Sequence, residues 1–489
     1  MTQSVLIIGA GPVGLTLAIE LARYAIPVRI VEKLAQRTDK SKALVLWSRT
    51  LELLDRQPGG SAPFIEAGFK AHAVNFFAGE KRIGRVGMES VNGPYPYALM
   101  IPQSDTERLL DERLNALGVR VERGVEVTGV SVRSDGVDAV LRNADGREEK
   151  TSANWLAGCD GAHSLVRHTV GAIFAGHTMD SDWMLADVHM RGYPVPDTEA
   201  SVYWHKDGVF VVFPISPGRY RLLADLPPSG EALPPTPTLE HVQAMIDRRG
   251  PPGTTAFDPI WLAGFRINGR KVSNYRWGHA FLCGDAAHVH SPAGGQGMNC
   301  GMQDAFNLAW KLAIVANNHG SEKLLDSYSA ERSEVGDHVL ADAQHLTILG
   351  TMKNPVKQPI RNTVGHLMLG LAPVQHAFAD RMSEVTVGYS KSPLNGAALS
   401  GGPKPGARVA PLAGQIPMGA GKSPRFGLFA KSSAAASGLI ERFSTVLESD
   451  LRPPFREDGL WLVRPDGYVA CAAAASDESL IAHYLSEQL

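Results

Sequence analysis

Three stretches of this chain repeat one pattern: a short apolar run, a turn of glycine or aspartate, and then helical periodicity. Val5-Leu6-Ile7-Ile8 runs into Gly9, Gly11 and Gly14 and a helical stretch over Leu15–Tyr24, and a second apolar run closes on Glu32. Trp155-Leu156-Ala157-Gly158-Cys159 meets Asp160-Gly161, after which Ser164 to Val170 starts a helix. Phe281-Leu282-Cys283 leads to Gly284-Asp285, a glycine-rich loop through Gly297, and a helix over Cys300–Ala316. Short, evenly apolar runs of this kind predict buried strands of an α/β fold. From about Ser181 to Asp225 the pattern changes to alternation, with strands expected at Asp187–Met190, Ser201–Trp204, Val209–Pro214 and Arg219–Asp225. Together with about Ala73 to Met100 these fit a second sheet, inserted between the second and third glycine segments. Leu346 to about Val387 reads as helical, and Gly396 to Arg408, rich in Gly and Pro, marks the boundary to a tail.

Composition narrows the picture. The 489 residues, 44% hydrophobic and 20% charged, exceed one ordinary domain and suggest about three. A formal charge of −2 gives no basic surplus, so nucleic acid is not an expected partner. Cys159, Cys283, Cys300 and Cys471 lie far apart without metal spacing and read as free thiols in a reducing compartment. The apolar start lacks a basic leader region, and no uncharged stretch approaches the roughly 20 residues of a membrane span. A cytoplasmic protein without membrane partners is expected.

The first segment is GxGxxG in its strand–turn–helix setting. Gly9 permits the tight turn, Gly11 lets backbone approach a pyrophosphate, and Gly14 lets helix and strand pack closely. The helix N-terminus offers N–H groups and a positive dipole end to phosphate. Glu32 is placed to accept hydrogen bonds from a ribose diol and to repel a 2′-phosphate, which favours FAD or NAD over NADP in this site. The loop after Asp285 aims several N–H groups at one spot, suited to a flavin pyrimidine carbonyl. His288 and His290 carry no acidic or cysteine partner pattern and read as loop packing rather than metal ligands. Gly419-Ala420-Gly421-Lys422-Ser423 has Ile416 where a phosphate loop needs glycine, and Pro424 interrupts the following helix, so it reads as a surface turn.

GxGxxG at 9–14, the Asp-Gly pair at 160–161 and the Gly-Asp motif from Gly284 to Asn299, in that order and spacing, resemble the class A flavoprotein aromatic hydroxylases, typified by p-hydroxybenzoate hydroxylase and phenol hydroxylase. Lys42-Ala43, Arg49-Thr50-Leu51-Glu52, Gln103 and Glu331-Arg332 add to the resemblance. It covers about the first 345 residues strongly, and the segment around Leu462–Tyr468 is similar to the thioredoxin-like tail of phenol hydroxylases and aromatic polyketide hydroxylases. The resemblance implies a Rossmann-like FAD-binding domain of the p-hydroxybenzoate hydroxylase fold at 1–72, 101–180 and 271–345. It further implies a β-sheet substrate domain at 73–100 and 181–270, a helical linker at 346–395 and a thioredoxin-like domain at 396–489. With only Cys471 in the tail, thiol–disulfide exchange lacks its second sulfur, and a structural or dimer-supporting role is expected there.

The same resemblance assigns roles. Gly9, Gly11, Pro12, Val13 and Gly14 would hold the pyrophosphate, and Glu32 with Lys33 the adenosine end. Lys42 stands where relatives have arginine facing the phosphates, keeping charge but losing bidentate geometry. Gln103 would bond the ribityl or adenosine half, and Asp285 the ribityl hydroxyls. Gly295, Gly297, Met298 and Asn299 would follow the pyrimidine edge. Asp160 and Arg167 match positions linked to FAD and to transient NAD(P)H, for which no second dinucleotide fold is present. The implied reaction is NAD(P)H- and O₂-dependent hydroxylation of a phenolic or polycyclic aromatic through a flavin C4a-hydroperoxide, with Pro292 near the transferred oxygen. Trp204, Phe213, Tyr97 and Met100 are candidates to line the substrate pocket, and His205, Tyr203, Tyr220 and Arg219 to act as base. A flavin-dependent reductase or epoxidase, or a non-catalytic FAD-binding redox sensor, stays open as an alternative. A WxWxIP halogenase signature is lacking around Trp204. A homodimer is possible.

Overall fold

Val5–Ile8 is buried at all four positions, which places it inside a sheet rather than at an edge. The computed structural model, which describes residues 4–38, 40–412 and 414–489, sets it in the middle of six strands. Their order is Arg276–Trp277, Ala280–Leu282, Trp155–Gly158, Val5–Ile8, Val28–Glu32 and Glu122–Arg123. All neighbours are parallel except the first pair. Register does the important work: Ile8 pairs with Gly158 and Gly158 with Leu282. The three strands therefore end level, and the turns that follow them meet at one sheet edge, where open α/β sheets bind ligands.

Helix Pro12–Arg23 and helix Gly297–Ala316 pack against this sheet in the main core. The second starts three residues before the expected Cys300, and it is buried at every position from Asn299 to Val315. Small and apolar residues cover most of the helix and suit it to a central position, and its buried Asp304, Asn307 and Lys311 find partners inside the protein. The segment after Asp160 forms a single short helix, Leu165–Thr169, capped by the Ser164 hydroxyl accepting from the Arg167 amide.

The alternating segments form an eight-stranded sheet ordered His288–Val289, Thr255–Lys271, Ala175–Arg191, Arg219–Leu226, Gly208–Ser216, Glu199–His205, Ala73–Ala78 and Lys81–Gly87. Ala98–Met100 is not part of it. Pro94 and Pro96 break the alternation first, and this strand, buried throughout, pairs with Val45–Leu46 and Phe69–Ala71 in a small separate sheet. One face of the large sheet packs on helix Leu239–Arg249 through Tyr203, Phe210, Val212, Val242 and Ile246. The other carries Val202, Trp204, Val211 and Phe213. Three helices follow at Lys323–Gly350, Lys357–Leu369 and Ala372–Met382.

The tail builds an antiparallel sheet of Gly427–Phe429, Gly459–Val463 and Val469–Ala474 with helices Ala434–Arg442 and Glu478–Gln488. It docks through buried charges. Arg56 bonds Glu20 and the Pro465 carbonyl, and Arg23 bonds Glu20 and the carbonyls of Gly419 and Gly421. The turn resembling a phosphate loop is thus occupied holding the tail to the first helix. No described helix is long and apolar enough to cross a membrane.

Candidate active site

The first turn is sterically exact in its use of glycine. Gly9 sits at φ +99, and a Cβ there would lie 2.3 Å from the Cys159 carbonyl oxygen. A Cβ on Gly14 would lie 2.0 Å from the Gly9 carbonyl oxygen, whereas one on Gly11 would meet nothing within 4 Å. Two glycines let protein approach protein, and the third faces an open cradle at a helix N-terminus. Pro12 occupies the first turn of that helix. Val13 reaches the opposite loop, where a Cβ on Gly284 or Gly301 would meet its methyl at 2.8 or 2.7 Å. Glu32 is oriented by two amides, accepting from Ala10 at 2.9 Å and Leu34 at 3.0 Å. Lys33 is exposed.

Asp160 accepts from the Val166 amide at 3.2 Å with Oδ2, while its buried Oδ1 has no protein partner; burial raises its pKa. Arg167 is buried, donates to the carbonyls of Ala286 at 3.2 Å and Ala162 at 2.7 Å, and lies 4.0 Å over the Phe174 ring. It ties the second turn to the third, its Nε has no partner, and loss of water lowers its pKa. Asp285 is exposed to solvent, between buried neighbours on either side in the chain. The surrounding protein raises its pKa, against the opposing charges of His288 and Lys42. The exposed Lys42 thus acts on the cleft through its field. The Gln103 carboxamide bonds within the protein at both ends: Oε1 accepts from the Ala43 amide at 3.1 Å and Nε2 donates to Glu107 at 2.8 Å. It fixes the segment that carries Lys42.

The third loop is a turn in which the Pro292 carbonyl accepts from the Gly295 amide at 2.9 Å, with Gly294 at φ +89 and Gly295 at φ +63. The first bond of the following helix runs from the Cys300 amide to the Gln296 carbonyl at 2.8 Å. The amides of Gly297, Met298 and Asn299 therefore form its unpaired positive end. The Asn299 side chain points elsewhere. It accepts from the Trp47 amide at 2.9 Å and donates to the carbonyls of Val45 at 2.9 Å and Gly295 at 3.1 Å, stitching strand to loop.

Beside this loop lies a cavity walled by Trp47, Phe76, Met100, Trp183, Trp204 and Phe213 among others and floored by Pro292 to Gly295. Trp204, Phe213 and Met100 are where the sequence placed them. Tyr97 is not: it packs edge-on against Tyr95 and His72 outside the cavity. Among the described lining residues none is acidic, basic, histidine or tyrosine, so the expected base candidates fail on position. Tyr203 stacks on Phe77 at 4.7 Å on the sheet's far face, where Tyr220 bonds Asp197. His205 faces Asp207 at 3.3 Å and Arg219 faces Asp187 at 3.8 Å. Trp47 escaped the sequence reading altogether. Its ring lines the cavity and its Nε1 donates to the Gly294 carbonyl at 3.0 Å.

His288, Cys300 and Asp304 come close enough to suggest a metal site. Asp304, however, already accepts from Arg332 at 2.6 Å, from the Gly284 amide at 3.0 Å and from His288 at 2.9 Å. A buried guanidinium in the cation's place fits packing, and His290 is engaged with the Ser291 carbonyl.

The open face at Gly11, the oriented carboxylate of Glu32, the unpartnered Asp160 oxygen and the free helix amides form one cradle whose donors and acceptors suit FAD. The comparisons agree. The family model described as an FAD binding domain matches residues 2–343, and the chain belongs to that family. It is a flavin-dependent monooxygenase of the aromatic hydroxylase class. Among its relatives, 6-methylpretetramide 4-monooxygenase of Streptomyces rimosus is 34% identical over 96% of this chain and 91% of its own. Pentachlorophenol 4-monooxygenase of Sphingobium chlorophenolicum is 32% identical over 71% of this chain and 65% of its own. The solved structure of OxyS anhydrotetracycline hydroxylase from Streptomyces rimosus superposes with a TM-score of 0.78 at 29% identity, covering 97% of this chain and 96% of that one.

Proposed function

We propose that this enzyme hydroxylates a fused-ring, phenolic substrate of the polyketide type. The observation that carries this is the lining of the cavity: aromatic and aliphatic side chains, with no ionisable group among the described lining residues. Such a wall selects by shape and apolar area rather than by charge. Two relatives similar over nearly the whole chain are named for 6-methylpretetramide and anhydrotetracycline, while the match named for pentachlorophenol covers 71% of it.

Bound FAD, reduced by NAD(P)H, would supply the activated oxygen atom. The chain's own contribution is positional. Gly11 and the helix N-terminus beside it would take the pyrophosphate, in a turn that Gly9 and Gly14 make possible, Glu32 would take the ribose, and Asp160 and Asp285 would take hydroxyl or amide donors. The amides of Gly297 to Asn299 would stabilise negative charge at the ring edge. The Pro292–Gly295 turn forms the boundary between that cradle and the cavity, so its backbone sets where the substrate ring meets the reacting atom. Trp183, Trp204 and Phe213 would orient the ring and exclude water. The tail acts as a support: its Cys471 is buried, and burial pushes the thiol up to about 12, which suits no redox role.

The test is NAD(P)H consumption under ¹⁸O₂ with anhydrotetracycline and with pentachlorophenol. The tetracycle should stimulate consumption at least ~10-fold more than the simple phenol and emerge carrying one labelled oxygen. Equal stimulation by both would overturn the substrate assignment, and label arriving from water would overturn the reaction.

A further inference from the structure

Gly365 lies inside helix Lys357–Leu369, where glycine is less favourable than alanine. Its backbone is helical, so no left-handed turn calls for glycine there. The reason lies across the packing interface. A Cβ at this position would come within 2.9 Å of Cζ3 and 3.4 Å of Cη2 of Trp204, the far edge of the indole. Trp204 in turn is a wall of the substrate cavity. The methyl that Gly365 lacks is the room in which that wall stands.

The indole is held on its other sides. The Arg361 guanidinium, one helical turn before Gly365, lies 4.7 Å over its ring, an attractive contact. Phe76 packs against it at 5.8 Å, and Phe378 meets Phe76 edge-on at 5.8 Å. The helix itself is tied to the strands that carry the wall. At its start Gln358 donates to the carbonyl of Lys206 at 3.0 Å, two residues beyond Trp204, and to that of Met352 at 2.7 Å. Arg361 donates to the Leu349 carbonyl at 2.8 Å. Near its end His366 bonds the Ile83 carbonyl at 2.8 Å, and a Cβ on Gly84 would lie 2.5 Å from that of Leu369. Helix and strands form one block, and the open side of the indole is the cavity. A side chain added at position 365 therefore displaces the ring into the cavity rather than lifting the helix away.

We propose that Gly365 is a positioning residue for substrate size: acting through Trp204, it sets the width of the cavity and so the extent of the fused-ring system the enzyme accepts. The inference rests on the cavity being the seat of the aromatic substrate. Gly365 is not among the described lining residues, so its effect on selectivity passes entirely through the indole.

The test uses full-length, FAD-loaded protein with anhydrotetracycline and pentachlorophenol as probes. Affinity for the oxidised enzyme is read from the perturbation of flavin absorbance, and kcat/KM from NAD(P)H consumption. Gly365→Ala should weaken binding of the tetracycle relative to the phenol at least ~10-fold, and the loss in kcat/KM should fall mainly on KM. Trp204→Phe removes the indole edge that meets position 365. Added to Gly365→Ala, it should bring the ratio of the two affinities within ~3-fold of that in Trp204→Phe alone. Any drop in melting temperature caused by Gly365→Ala should be recovered in the double variant. A ratio unchanged by Gly365→Ala, or a shift that Trp204→Phe does not reverse, would overturn the proposal. A wild type that prefers pentachlorophenol would instead overturn the substrate assignment, and the change of ratio between wild type and Gly365→Ala would still decide this inference.

Discussion

Trp47 does two things through one ring. Its face is a wall of the substrate cavity and its N–H fixes the Gly294 carbonyl, while its own amide is held by Asn299. Substrate contact and the shape of the turn beside the flavin cradle thus meet in one side chain. Trp47→Phe keeps the apolar wall and removes one hydrogen bond, a loss of about 1 kcal/mol. Substrate KM should move less than ~3-fold, while the fraction of NAD(P)H lost to hydrogen peroxide should rise several-fold. Peroxide yield unchanged from wild type would show that the turn does not need this bond. No sequence pattern could have flagged Trp47, because its partners lie about 250 residues away. Glu32, by contrast, was legible, since its distance from the glycines is part of a local unit. Glu32→Gln removes a charged acceptor and should weaken FAD binding ~10-fold or more, read by fluorescence titration of the apoprotein.

At the scale of elements, the glycine turns were readable because each lies within a few residues of its strand, and parallel register then levels them. The sheet was readable only in part. Alternation shows which residues share a face, not which face meets the cavity. Trp204 lines the cavity, so its neighbours Tyr203 and His205 point the other way. Both kinds could not have served together. Arg219 shares a face with the lining residue Leu223 but sits roughly 13 Å along the strand, beside Asp187. Within the first turn, two glycines that look equivalent in sequence should behave differently. Gly11→Ala adds a methyl to open space, so the apoprotein should melt at the wild-type temperature and lose FAD affinity. Gly14→Ala places it 2.0 Å from a carbonyl oxygen, so the apoprotein itself should melt several degrees lower. Equal melting of the two apoproteins would contradict the division of labour between cofactor approach and helix packing.

The whole molecule is held together where the central helix, the following long helix and the tail meet, and that joint is ionic. Glu331 accepts from Lys311 at 2.7 Å, Asn307 at 2.7 Å and Arg464 at 3.0 Å, all buried. Residues so distant in sequence gave no sign of this, although Glu331 belonged to a recognised motif. Removing its charge leaves the buried Lys311 without a carboxylate, while Arg464 keeps Asp466, at a cost of about 3–5 kcal/mol, so Glu331→Gln should melt roughly 3–5 °C lower. Acid acts on this joint in two opposite senses. Burial opposes the Glu331 carboxylate, but Arg464 and Lys311 hold its pKa far below the ordinary range. Its contribution is therefore complete at neutral pH and is lost as acid falls below the ordinary carboxylate pKa. Glu384, bonded to Gln303 and without a partner on Oε1, is pushed up to about 8 by burial, with Arg332 opposing. Between the ordinary carboxylate pKa and about 8 the unfolded chain ionises this group and the folded chain does not. The native state therefore loses stability as pH rises through that window. Glu384→Gln mimics the protonated form, so it should match wild type at pH ~5 and melt a few degrees higher at pH ~8. A melting difference that is the same at both values would mean that Glu384 is ionised in the folded protein, and that the joint between tail and cofactor domain carries one more negative charge.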